Sequence, residues 1–256
     1  MDLHELPDQP FSRHPWEIAR AHFFRALLAS RGGGDLPRRI LDVGAGDGYL
    51  ASELLATMPA GTEVVCFDTN YTDAQLAKPG KAGLSFTRER PAGPFDLILL
   101  LDVIEHVTDD RGLLAEASGA LAEGGHVLVS VPAWGALYTK HDLFLGHHRR
   151  YRPAQLRAVV DAAGLRLEAG GGLFHSLLLV RAAQKLAELG RGVWTGPVLE
   201  ELGSGDEAGV GRWKGGAGLT RAIGALLALD NQLSVLTASI GFHLPGLSIW
   251  ALCRKG

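Results

Sequence analysis

The chain has 256 residues, 46% of them hydrophobic and 21% charged, enough for one large α/β domain or one domain carrying an insertion. A formal net charge of −3 gives no basic surface for nucleic acid. Two cysteines, Cys66 and Cys253, make no disulfide framework and point to a reduced, cytoplasmic setting.

The opening MDLHELPDQPFSRHPWE is polar and acidic and does not read as a signal peptide. No apolar run approaches the roughly 20 residues that span a bilayer. Residues 15–30 (PWEIARAHFFRALLAS) space their apolar side chains as a helix does, with a glycine stop after them. Strands are predicted at 39–43, 64–68, 84–87, 95–101 and 126–131, with helices at 48–58, about 71–77 and 109–122 between them. A helix at 153–163 and a strand at 165–169 follow. This alternation predicts a parallel sheet covered on both faces.

Beyond Gly170 the order loosens. Two apolar helical stretches, 173–189 and 219–236, flank a glycine-rich loop at about 190–218, and 247–253 reads as a last strand. If that strand rejoins the sheet, residues 1–170 and 247–256 form one domain and 171–246 a helical insertion before the final strand. The insertion is the natural place for acceptor selection, for a dimer contact, or for peripheral contact with a membrane.

Chemistry concentrates at strand ends. In Arg39-Ile-Leu-Asp-Val-Gly-Ala-Gly-Asp-Gly-Tyr-Leu50 a strand runs into Gly44, Gly46 and Gly48 and then into a helix, the form needed for a sharp turn and close ligand approach. The spacing is GxGxG rather than the dinucleotide GxGxxG, position 47 is Asp, and no P-loop lysine is present. Asp42 places further negative charge at this mouth. It repels a pyrophosphate and suits a cationic amino-acid and sulfonium ligand. Asp68 ends the next strand about 20 residues on, where an acid accepts from both ribose hydroxyls. Asp102, Glu105 and His106 follow the strand 95–101, and His106 suits a general base. The alternative is that Glu105 and His106 cap the following helix. His141, His147 and His148 form a second histidine group, beside Arg149 and Arg150, which face an anionic substrate or pair with acids.

The pieces LDVGAGDGYL, VVCFD, FDLILLLDVIEHVTDD and GGHVLVSVPA, in this order and spacing, resemble the class I S-adenosylmethionine-dependent methyltransferase family in its type 11/12-like form. The likeness covers about residues 38–132 and extends into HDLFLGHHRRYRPAQLRAVVDAAGL. It implies a Rossmann-like, doubly wound, seven-stranded, mostly parallel sheet whose antiparallel last strand pairs with 165–169. It also implies S-adenosyl-L-methionine as cofactor and S-adenosyl-L-homocysteine as product. Asp42, Gly44, Ala45, Gly46, Gly48 and Tyr49 would line the amino-acid part, Asp68 and Thr69 the ribose, and Asp102 and Val103 the floor beneath the methyl donor. The family's adenine-holding Asp is missing at the third strand, so Thr87 or a backbone group must substitute.

The leading reading is O-methylation of a small, lipophilic or aromatic hydroxylated acceptor, without nucleic acid. His106 or His141 takes up the proton beside Glu105, and no metal is required. In a metal-assisted alternative, Asp102, Glu105, His106 and one of His141, His147 or His148 hold a divalent ion. The runners-up are an NAD-dependent oxidoreductase, which shares the glycine loop but lacks a Tyr-x-x-x-Lys pair, and a non-catalytic binding module.

Overall fold

The computed structural model describes residues 12–30, 36–77, 80–190, 213, 215–239 and 243–256. Helix α1 (Pro15–Ser30) opens on a proline, whose fixed φ and missing N–H suit a first helical position. Then come β1 (Arg39–Val43), α2 (Tyr49–Leu55), β2 (Glu63–Phe67), α3 (Asp73–Leu76), β3 (Leu84–Thr87) and β4 (Phe95–Leu101). The second half holds α4 (Asp110–Gly119), β5 (Leu121–Pro132), α5 (Lys140–Phe144), α6 (Pro153–Ala162) and β6 (Leu165–Leu173). Two long helices, α7 (His175–Gly190) and α8 (Ala217–Ser239), precede the last strand β7 (Ser248–Lys255). Most of the 190–218 loop expected from the sequence lies outside the described residues.

The seven strands form one sheet in the order β3-β2-β1-β4-β5-β7-β6. Strands β1 to β5 pair in parallel, and β7 runs antiparallel to both β5 and β6. This is the doubly wound, Rossmann-like arrangement that the sequence implied, including its antiparallel last strand. Alternation along β4 divides the core: Leu97, Leu99 and Leu101 face a cluster with Phe23, Phe24 and Leu54, while Ile98 and Leu100 face one with Leu114, Leu156 and Val160. Burying both faces explains why β4 reads as a continuous apolar run.

Two element ends differ from the sequence reading. Helix α4 stops at Gly119 and β5 begins at Leu121, five residues before the expected start. Strand β6 continues through Gly170, Gly171 and Gly172 to Leu173, four residues past the expected end at Ala169 and into the start of the expected helical insertion. A Cβ on Gly171 would lie 2.6 Å from Ser234 Oγ of α8 and 3.1 Å from Trp250 Nε1, so these strand glycines let a helix lie close on the sheet. The glycines expected to open the insertion are instead where α8 approaches the sheet. Trp250 Nε1 donates to Ser234 Oγ at 3.0 Å, and Phe174 N donates to Asn231 Oδ1 at 2.9 Å, which fastens α8 there. Among the described residues no helix is long and apolar enough to cross a membrane.

Candidate active site

Strands β1 and β4 are neighbours with Val43 opposite Leu100, and the strand order reverses between them. Connections leaving their carboxyl ends go to opposite faces, which opens a crevice where such sheets bind ligands. The glycine turn, Asp42, Asp68 and the 102–106 segment all stand at this edge.

On the cofactor side, Gly44, Gly46 and Gly48 have φ of 64°, 56° and 72°. A Cβ on Gly48 would come within 2.7 Å of the Phe86 ring, so space as well as backbone angle demands glycine there. Ala45 is buried beside them, and Val103 packs against Gly44. Asp68 is held in place by one bond to each oxygen, Oδ2 accepting from Gly46 N at 3.3 Å and Oδ1 from Asn70 N at 2.9 Å, with acceptor capacity to spare. Thr69, exposed, occupies the turn between them. Asp42 is 3% exposed, and burial pushes its carboxyl up to about 7 against the opposing charge of Arg20. Arg13 pairs with Asp47 and lies 4.1 Å over the Tyr49 ring. Nearby, the Tyr71 hydroxyl is buried without a hydrogen-bond partner, and its ring meets Phe86 edge-on at 5.6 Å. Thr87, expected as an adenine substitute, spends its hydroxyl in its own turn with Glu89. A glycine cradle, buried acids and an orphan hydroxyl fit a polar ligand without phosphates.

Asp102 joins the two halves. Its φ of 59° is unusual outside glycine, and strain of this kind persists only where neighbours over-determine it. Arg20 of α1 holds Oδ2 at 2.7 Å, and Ser130 of β5 donates to Oδ1 at 3.1 Å.

After β4, Ile104–His106 form a single 3-10 turn. Glu105 is fully buried with neither carboxylate oxygen hydrogen-bonded, and burial, reinforced by the charge of Asp102, raises its pKa well above the usual range. Beside it the His106 and His147 rings meet edge-to-face at 4.6 Å. One ligand atom from each of Glu105, His106 and His147 lies within 4.8 Å of the other two.

His147 is fixed from behind. Its Nδ1 lies 2.8 Å from Asp142 Oδ1, which also accepts from Arg150 Nε at 2.8 Å, while Thr139 N donates to Oδ2 at 2.8 Å. Burial alone would raise the Asp142 pKa, but the hydrogen bonds from His147 and Arg150 prevail and hold it well below the carboxylate range. The tight turn at Gly146, with φ of 73°, brings His147 back over Asp142.

The expected helix-capping role falls to Asp109, whose Oδ1 accepts from Gly112 N at 2.8 Å, rather than to Glu105 or His106. His141 stands apart from the cluster, stacked on Phe144 at 6.4 Å. His148 contributes a backbone bond to Glu105 O at 2.8 Å. Arg149 and Arg150 pair with Asp110 and Asp142. Arg13, Arg20, Ser130, Tyr71 and the orienting role of Asp142 were missed. Only Asp142 left a trace, an acid and a histidine bracketing a glycine turn.

Comparison with known proteins agrees with this geometry. A family model described as a methyltransferase domain matches residues 16–169. The ubiquinone biosynthesis O-methyltransferase of Escherichia fergusonii is 25% identical over 173 residues, covering 58% of this chain and 71% of that protein. An uncharacterized methyltransferase of Mycobacterium marinum is 31% identical over 171 residues, covering 57% and 66%. A chain in the complex between the Haloferax volcanii Trm112 methyltransferase activator and a candidate methyltransferase shares the fold at TM-score 0.53. It is 14% identical, with 94% of this chain and 92% of that one covered. These matches displace the oxidoreductase reading, and the chain belongs to the methyltransferase domain family, as a methyltransferase whose cofactor is S-adenosylmethionine.

Proposed function

We propose that this methyltransferase acts on a hydroxyl oxygen of a small, lipophilic or aromatic acceptor, with Glu105, His106 and His147 handling the acceptor's proton. The observation that carries the reading is the fully buried, unpartnered carboxyl of Glu105 between two histidines, next to the strained Asp102. A neutral hydroxyl must lose its proton as it is methylated, and a half-buried histidine pair steered by Asp142 would supply a base there. His147, rather than His141, is the histidine whose ring stands beside His106.

The cofactor supplies a methyl group already activated on sulfonium. The chain's own work is binding, alignment and exclusion of water. Asp42 and the glycine turn would receive the ammonium end of the cofactor. Asp68 takes the ribose hydroxyls and Tyr71 donates its unused O–H. Val103 and Asp102 form the floor. The insertion, residues 171–246, contributes to acceptor selection: Phe174 stacks near Trp16 at 5.6 Å, and Arg181 of α7 donates to Thr139, beside Asp142, at 2.8 Å.

A second reading rests on the same three side chains. Two imidazoles and a carboxylate suit zinc or another divalent first-row ion, with Asp142 orienting His147 from the second layer. An ion there would lower the acceptor hydroxyl's pKa. Elemental analysis and turnover after chelation separate the two readings.

The primary test titrates S-adenosylhomocysteine by calorimetry, then follows labelled methyl transfer to a panel of phenols, catechols, amines and carboxylates. Transfer confined to amines, or undiminished in the His106→Ala, His147→Ala double variant, would overturn the hydroxyl reading.

A further inference from the structure

The insertion touches the histidine cluster's support through one side chain of α7. Arg181 is half-buried, and both arms of its guanidinium are engaged. Nη1 donates to Gln184 Oε1 at 3.2 Å and Nη2 to Thr139 Oγ1 at 2.8 Å. Gln184, one turn further along α7, is itself buried, so the planar fork is aimed from within its own helix.

A guanidinium only donates, so at Thr139 the hydroxyl oxygen accepts and its single O–H is left to point elsewhere. Asp142 Oδ2 lies 3.2 Å away to receive it. The Thr139 N–H reaches the same oxygen at 2.8 Å, while Oδ1 meets Arg150 Nε and His147 Nδ1, each at 2.8 Å. Asp142 is wholly buried, so these groups alone set the plane of its carboxylate. An ionised carboxylate offers lone pairs only, and the ring nitrogen facing it must carry a proton. In the neutral ring Nε2 is then the bare nitrogen, the one able to accept.

Thr139, Asp142, His147 and Arg150 all belong to one short segment, and they could orient one another while the whole segment shifts. Among the described hydrogen bonds of Thr139 and Asp142, the one from Arg181 alone comes from outside residues 139–151. It fixes both the place of Thr139 and the direction of its O–H.

We propose that Arg181 is a positioning residue which, through Thr139 and Asp142, holds the His147 ring as its Nδ1–H tautomer, so that the insertion sets the proton-accepting nitrogen of the site. This rests on the reading of His147 as a proton acceptor given above.

Ring-nitrogen NMR of the full chain labelled at histidine, with S-adenosylhomocysteine bound, tests this without an acceptor. His147 is identified by its loss in His147→Gln. Wild type should show one Nδ1–H tautomer there, and Arg181→Met and Thr139→Val should each give a mixture of the two. The double variant should be no worse than Thr139→Val alone, since both act through one hydroxyl. Thr139→Ser, which keeps that hydroxyl, should restore the wild-type pattern. With S-adenosylmethionine and whichever phenol or catechol the wild type methylates fastest, Arg181→Met should lower kcat about three- to tenfold and leave KM within about twofold. An Nε2–H tautomer in wild type, a His147 signal that ignores both substitutions, or effects of the two that simply add would overturn the inference. Full turnover in His147→Ala would strike the proton-acceptor reading instead, and the two failures are told apart because the ring spectrum needs no turnover.

Discussion

Asp68 and Glu105 are both buried carboxylates at the same edge of one sheet, yet their surroundings are opposite. Both oxygens of Asp68 accept backbone N–H groups, whereas neither oxygen of Glu105 has a partner. A carboxylate held by amides is ready to receive a ligand's hydroxyls and costs little to keep. A bare buried carboxyl is stabilised only in its protonated form, and it persists where a reaction uses it. In the proposed reading the cofactor half is thus assembled in advance, and the acceptor half keeps an unspent proton site.

If that division holds, variants on the two sides separate binding from chemistry. The largest effect belongs to the acceptor half. His147→Ala should lower kcat by about 10²- to 10⁴-fold while the Kd for S-adenosylhomocysteine stays within about twofold. Asp142→Asn, which leaves the ring but loosens its support, should fall between this variant and wild type. Loss of cofactor affinity in His147→Ala would erase the division.

Gly48→Ala should do the reverse. The added Cβ meets the Phe86 ring at 2.7 Å, at a φ of 72°. Strain and displacement together should weaken S-adenosylhomocysteine binding by roughly 10- to 100-fold. With cofactor at saturation, kcat should recover to near wild type.

The third effect is pH dependence on the cofactor side. Burial raises Asp42 to about 7 in the free protein, so below that pH it is largely protonated and neutral. A ligand ammonium favours the ionised form. Affinity therefore rises from pH 6 to pH 8 and falls by up to about tenfold per unit below 7. Asp42→Asn should flatten this profile in calorimetry run in buffers of different ionisation heat. A profile unchanged in that variant would remove Asp42 from the binding step.

How much of this was legible beforehand follows from the range of each interaction. The glycine turn and Asp42 could be read because a strand, three φ-positive positions and a helix are consecutive in the chain. The seven-stranded, mostly parallel sheet with an antiparallel last strand followed from the family resemblance on those same pieces. The continuation of β6 through Gly170–Gly172 could not be read, since only the approach of Ser234, some sixty residues later, distinguishes strand glycines from a loop. Arg20 was invisible for a similar reason: in an amphipathic helix nothing separates an arginine that reaches Asp102 from one in solvent. His147 was seen only as one of several histidines. Its selection over His141 depends on the turn at Gly146 and on Asp142, which the spacing permits without requiring.

The smallest effect separates the two readings of the acceptor half. Glu105 has a folded-state pKa raised well above its ordinary value of 4.5, so the native protein binds its proton more tightly than the unfolded chain does. Stability from this group is complete at pH below about 4.5 and is lost as pH climbs toward the raised value. Glu105→Gln removes the titration and keeps the shape. Measured by thermal unfolding, the variant should gain on wild type as pH rises above the ordinary carboxyl value, by on the order of 1 kcal/mol. An ion held by Glu105, His106 and His147 inverts the sign. The carboxylate would then be favoured, wild type would lead at high pH, and chelation would abolish its lead. A gain for Glu105→Gln that grows with pH and ignores chelator therefore supports a protonated Glu105 and metal-free proton transfer, and the opposite slope assigns the cluster to a metal.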